Sequence, residues 1–374
     1  MQKNFKFTTV FNIPIDVNYT WFAVVALVIY TLANGYFPVT NPELEPLAWW
    51  SMSVFAAILL FASLLAHELA HSLVAIRNHL PISGITLFIF GGVAHMEGEP
   101  TTPRVEFLMA IAGPIMSFVL SLVFYILAHL FSLYSAANLL VSITSYLSII
   151  NFVIGLFNLI PGFPLDGGRI LRALLWHYTK DLRRATAVAS FIGKGFAFFL
   201  IAVGFTNIIQ GAFIPGLWFI FMGIFVEEAA DISYKNVLMK KILGDSSVEK
   251  CMSLSVVTVG PKINLNDLIN NYFLKLRHAS FPVMSDDLIL GIVTLHDVRN
   301  TPKENRDITT AQDIMLPIGN EYVIQKNANI LEALSKMAAN KIHRLMVVED
   351  GKLVGFVSQR DIVKLFEYKV VIGK

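Results

Sequence analysis

Long apolar runs, each about as wide as a bilayer, alternate with short polar connections from the start of the chain to about Ser233. From Lys235 onward the pattern changes to short apolar stretches interleaved with Asp, Glu, Lys and Asn, as in water-soluble domains. A helix needs roughly 20 apolar residues to cross a hydrocarbon core. The first part supplies six such stretches: 18–35, 47–76, 106–131, 138–160, 185–209 and 213–231. The pattern thus predicts a polytopic α-helical membrane protein with six transmembrane helices over residues 1–233, a linker at 234–246, and an α/β module behind it. One connection departs from this scheme. Pro81 to His95 is apolar, rich in β-forming residues and glycine, and too short for a helix that crosses and returns. It reads as a strand pair, a short membrane-associated β element. An open edge there would accept a further extended segment as an added strand.

Composition sharpens this picture. Hydrophobic residues make up 55% of the chain and charged residues 15%, against roughly 25% charged in globular domains. The net charge of +2, with no basic patch interleaved with aromatics, gives no sign of a nucleic-acid partner. Cys251 is the only cysteine, which excludes an intrachain disulfide and a Cys-rich metal site. The opening residues Met1 to Lys6 lack a cleavable signal pattern, so the first helix is expected to stay in the mature protein. Lys and Arg cluster before the first helix (Lys3, Lys6), between the second and third, between the fourth and fifth, and after the sixth, and are missing from 36–46, 132–137 and 210–212. By the positive-inside rule both termini and the C-terminal module are cytoplasmic, in a multi-pass cell-membrane protein.

The candidate chemistry lies inside the second apolar run, as His67-Glu68-Leu69-Ala70-His71. Two histidines four residues apart share a helix face and can share one Zn²⁺, while the intervening Glu can take a proton from water. Ionisable groups within a spanning segment are costly and mark function. A catalytic zinc takes three protein ligands. The fourth helix ends in Asn158-Leu-Ile-Pro161-Gly-Phe-Pro164-Leu-Asp166-Gly167-Gly168-Arg169 and runs in the same direction as the second, so Asp166 arrives at the histidines' depth. Asp166 is the expected third ligand. As an isolated Asp-Gly-Gly it would read as a simple turn, but irregular backbone at membrane depth is tolerated where it lines a cavity. His95, His129 and His177 are left out of the ligand set, since a lone histidine is more often a hydrogen-bonded structural residue.

The conjunction of HExxH in one spanning helix with Asn158, Pro161, Asp166 and Gly167 at the end of a later one resembles the site-2 protease family of intramembrane zinc metalloproteases. The likeness extends over the membrane part, including Gly91-Gly92 and Ala112-Gly113-Pro114, small residues that allow close helix contact. It implies that His67, His71 and Asp166 are zinc ligands, Glu68 the general base and Asn158 a polar group near the substrate or its oxyanion. It also implies that the substrate is the transmembrane segment of another membrane protein, cut within or beside the bilayer.

The polar part contains an internal repeat of about 64 residues. Met252 answers to Met315, and Gly291-Ile-Val-Thr294-Leu-His-Asp297 to Gly355-Phe-Val-Ser358-Gln-Arg-Asp361. Each unit reads strand, helix, strand, strand, helix, at 247–302 and 310–370. The pair resembles tandem cystathionine β-synthase (CBS) domains, which implies an adenine nucleotide (ATP, ADP or AMP) held between repeats as a regulator, or a homodimer formed through the pair. Thr294, Asp297, Ser358 and Asp361 suit the first role, since carboxylates accept from ribose hydroxyls and hydroxyl groups meet phosphate. Two other functions share these features: a CBS-regulated transporter using His67, Glu68 and Asp166 as an ion path, and a membrane-embedded metallopeptidase acting on soluble peptides. Clustering of the polar residues at one depth speaks against the transporter.

Overall fold

The computed structural model describes residues 4–88, 91–96, 98–134, 138–244, 246–286, 288–340 and 342–372. Ile89 and Phe90 of the expected strand pair, and Lys3 of the orientation argument, lie outside the described residues. The chain forms two compact units, Met1–Val237 and Leu238–Lys374.

In the first unit, strands β1 (Asn4–Val10) and β2 (Ile13–Asn18) lead into α1 (Tyr19–Thr40), whose N-terminus is capped by the Asn18 side chain accepting from the Thr20 amide. Then come α2 (Pro46–Arg77), strands β3 (Ile82–Phe88) and β4 (Gly91–Met96), α3 (Pro103–Ser132), α4 (Asn138–Asn158), α5 (Asp166–Thr179), α6 (Leu182–Ile209) and α7 (Phe213–Leu243). Proline opens both α2 and α3, where its missing N–H is no loss. Among the described residues, α1, α2, α3, α4, α6 and α7 are long and apolar enough to cross a membrane. The last of them runs on to Leu243, through residues whose polarity reads as a linker.

The strand pair between α2 and α3 is present, with β3 and β4 antiparallel. It is half of a four-stranded sheet in the order β1-β2-β3-β4, in which β2 joins β3 in parallel. The apolar face of that sheet, Ile13, Ile15, Val17, Ile85 and Leu87, packs on Leu65 and Leu69 of α2. These two flank His67 in sequence, so the sheet is seated on the helix that carries the HExxH motif. On another stretch of α2, Met52, Ala56 and Leu60 pack against Ile143 and Leu147 of α4. Between α3 and α4 the contact is polar and close. Ser121 Oγ donates to the Ser148 carbonyl at 2.8 Å and Ser148 Oγ to the Ser121 carbonyl at 2.9 Å, the kind of interhelical bond that replaces hydrophobic drive in lipid.

The second unit holds two three-stranded sheets. In the first repeat β5 (Ser280–Ser285) and β6 (Leu288–Thr294) are followed by α8 (Leu295–Asn300), and β7 (Leu316–Pro317) adds to β6. In the second, β8 (Val323–Gln325), α9 (Ile330–Ala339), β9 (Arg344–Glu349), β10 (Lys352–Ser358) and α10 (Gln359–Ile372) follow in turn. The two cores exchange their leading segments. Leu243, just ahead of the first repeat, and Val248, at its start, are buried in the core of the second with Ile330, Leu345 and Ile362. Ala311, with Ile314 and Met315 against it, is buried in the core of the first with Leu265, Phe281 and Val293.

Candidate active site

His67 and His71 lie one turn apart on α2, and both are buried, 4% and 7% exposed. Asp166 is the first residue of α5. The Nε2 atoms of the two histidines are 3.2 Å apart, and Asp166 Oδ2 is 3.2 Å from the first and 3.1 Å from the second. These edges match the spacing of about 3.3 Å between neighbouring ligands of a tetrahedral zinc at about 2.0–2.1 Å. Their chemistry fits as well. His71 Nδ1 donates to the Met109 carbonyl at 2.6 Å, and a carbonyl can only accept, so in the neutral ring Nε2 carries a lone pair aimed at the centre. His67 Nδ1 is 2.8 Å from Ser117 Oγ, which can accept its proton and leave the same lone pair free. A cation is the group that suits two lone pairs and a carboxylate converging in a buried site.

Both of those outer partners belong to α3, and so does the space in which the rings stand. A Cβ on Gly113 would collide with Nε2 of both histidines. Gly113, read from the sequence as a helix-packing residue, makes room for the imidazoles. Gly113→Ala should therefore weaken zinc binding by about 10-fold or more, the range known for groups that hold metal ligands in place; competition with a chromophoric chelator measures it.

Glu68 points to the opposite wall. A Cβ on Gly92 would meet its Cγ and Cδ, so β4 lies directly on the Glu68 side chain. Gly91 beside it has φ +118°, a conformation that side chains rarely adopt. Together these residues bound a cavity of about 460 Å³, whose lining includes His67, Glu68, His71, Asn158, Asp166 and Arg169, with Phe225 and Ala229 of α7. Asn158, the last residue of α4, is half-buried there. Residues 159–165 connect it to Asp166 through a cis Phe163–Pro164 bond. The glycines after Asp166 are the first turn of α5. A Cβ on Gly167 would strike the Leu159 and Ile160 carbonyls, so only a bare backbone lets the helix begin this close.

The four residues singled out in the repeats take a different form. Asp297 Oδ2 accepts from the Thr294 amide and hydroxyl at 2.9 and 2.6 Å, which is a capping box at the start of α8. Asp361 repeats it with the Ser358 amide at 3.0 Å and hydroxyl at the start of α10. Ser358 and Asp361 line a cleft of about 250 Å³ with Ser255, His278, Arg344 and Arg360. The corresponding cleft at the first repeat is lined by Thr294, His296, Tyr322 and His343, and Asp297 is not on its wall. Burial, and then the Arg344 charge, lower His278 from the ordinary histidine value, and Arg344 and Arg360 bring positive charge to the cleft.

His95, set aside as a ligand, bonds Thr86 Oγ1 at 2.8 Å across the β3–β4 pair. Sequence reasoning missed Ser117, the Met109 carbonyl, β1 and β2, and α5 as a helix. The Asn12 turn between two β-rich runs, with φ above 50° at Phe11 and Asn12, was the available sign of the hairpin.

Comparison with known proteins agrees with this architecture. The family model described as Peptidase family M50 matches residues 55–136 and 129–202, and that of the CBS domain matches 248–304 and 311–368. Rip3 of Mycobacterium tuberculosis, named as a zinc metalloprotease, is 34% identical over 354 residues, 94% of this chain and 90% of that protein. The zinc metalloprotease MJ0392 of Methanocaldococcus jannaschii is 30% identical over 374 residues, 97% and 96% of the two chains. A solved site-2 protease from Methanocaldococcus jannaschii is similar to 62% of this chain and 95% of its own, at 29% identity and a TM-score of 0.43. The chain belongs to the M50, or site-2 protease, family of membrane zinc metalloproteases, in the form that carries a tandem CBS pair.

Proposed function

We propose that His67, His71 and Asp166 hold the zinc ion of this multi-pass protease, and that Glu68 and Asn158 act on the peptide bond beside it. The observation that carries this reading is the convergence of the three ligand atoms, all within 4.8 Å of one another, in a cavity that Glu68 and Asn158 also line. Zinc bound there supplies Lewis-acid polarisation of the scissile carbonyl and acidifies water. The Glu68 carboxylate takes a proton from the attacking water as the C–O bond forms and the carbonyl π pair moves onto oxygen. It then passes that proton to the amide nitrogen, which leaves as the amine when the carbonyl re-forms and the C–N bond breaks. The Asn158 amide donates to the carbonyl oxygen as charge builds on it. β4 is an edge of its sheet, and its residues Gly91 to Ala94 line the cavity, so a substrate segment unwound from its helix is held as a fifth strand. The basic connections support a cytoplasmic side for the termini and, with them, the module.

The test is cleavage in vesicles. A reporter with a spanning segment that contains helix-breaking residues should be cut, and a poly-leucine segment should be cut slowly. The same target sequence as a free soluble peptide should be a poor substrate. Equal turnover of the soluble peptide would favour a membrane-embedded peptidase instead. The transporter reading has no support from the family.

For the CBS pair we propose an adenine nucleotide at the cleft of Ser358 and Asp361, where Arg344 and Arg360 can meet phosphate, and a rate of proteolysis that depends on it. A nucleotide at about 100 times its Kd stabilises what it binds by about 2.7 kcal/mol. That shift should be seen in the unfolding of the intact protein, and Arg360→Ala should remove more of it than Asp297→Ala. If ATP, ADP and AMP change neither unfolding nor cleavage, dimerisation is the module's role.

A further inference from the structure

Asp166 has the least local support of the three proposed ligands. It opens α5, a helix of 14 residues whose N-cap residue, Leu165, offers no side-chain bond. It follows irregular backbone, and it must still stay within 3.2 Å of both imidazoles. The histidines themselves lean on α3, through Ser117 and the Met109 carbonyl. Within the packing of α5 on α3 lies a buried ion pair.

Arg172 of α5 donates from Nε to Glu106 Oε1 at 2.6 Å and from Nη2 to the same oxygen. Glu106 is fully buried and Arg172 is 8% exposed. The guanidinium also lies over the Phe163 ring, 5.1 Å from its centroid. Glu106 stands three residues before Met109 on α3, so the two share a helix face. Phe163 stands three residues before Asp166. One guanidinium therefore grips the helix that orients the histidines and the chain that leads into Asp166.

Stability does not account for such a pair. Desolvation of two charges offsets their attraction, and apolar residues of similar volume do as well or better. Here the balance is less favourable still, because Glu106 Oε2 has no hydrogen-bond partner among the described residues. Rigid geometry is what the pair provides. We propose that Glu106 and Arg172 are positioning residues that set Asp166 against His67 and His71 and so determine how tightly zinc is held, an inference that rests on those three being the ligands.

The experiment uses the full-length protein in detergent, with zinc affinity from chelator competition and ligand geometry from the absorption of the Co²⁺-loaded form. The double variant Glu106→Leu/Arg172→Met removes the pair at similar volume. Its metal-free unfolding should be close to that of the parent, its zinc affinity about 10- to 100-fold lower, and its cobalt bands altered. Arg172→Lys keeps the charge but cannot offer two nitrogens to Oε1 or a plane to Phe163. It should weaken zinc by about 10-fold, and it serves if the double variant fails to fold. Zinc affinity within about twofold of the parent with unchanged cobalt bands, in whichever of the two variants folds, overturns the inference. Asp166→Ala is measured alongside. If it keeps its zinc, the ligand set itself is wrong; if it loses zinc while the pair variants do not, only the role of the pair falls.

Discussion

Glu68→Gln should lower turnover at least ~10²-fold while zinc content and fold are unchanged. The amide keeps the size and much of the hydrogen bonding of the carboxylate but cannot accept a proton from water. Because the residue is on the cavity wall and not in the donor triangle, the metal should stay at about one ion per chain. Two readouts decide the matter: metal analysis of the purified variant, and its rate on a reconstituted membrane substrate. Near-parental cleavage would sink the role of Glu68 as base. Loss of zinc together with activity would instead place the carboxylate among the ligands.

Asp166→Ala should give the other large effect, a fall from about one zinc per chain to almost none after dialysis. Without the carboxylate, two imidazoles remain, and two protein ligands do not hold a catalytic zinc against a chelator. His67→Ala and His71→Ala should behave alike, since each leaves a pair. Full retention in Asp166→Ala would remove it from the set and send the search for a third ligand back to the cavity wall.

How much of this was legible in the sequence depends on the kind of contact. The six spanning helices follow from length and apolar content alone, because lipid permits few alternatives to a helix. His67 and His71 are legible because helical spacing is local. Asp166 lies 95 residues beyond His71 and could be placed only through topology, by requiring two helices to end at one depth. The outer partners had no such signal. Met109 contributes a carbonyl that every residue possesses, and Ser117 is one of many serines on apolar helices. The repeat exposed both CBS units, yet the Ser/Thr-x-x-Asp elements that suggested ribose binding proved to be helix caps as well. A capping box and a ligand contact draw on the same residue types, so spacing cannot separate them.

The exchange of leading segments between the two CBS cores has a consequence for heredity and for engineering. Leu243 and Val248 complete a core made mostly after residue 320, and Ala311 completes one made mostly before residue 300. A gene cut between the repeats would strip each product of part of its interior and leave an apolar seam exposed. Neither repeat is therefore a portable part. Grafts, deletions and natural recombination should succeed only when they move the pair together, with a junction upstream of Leu243.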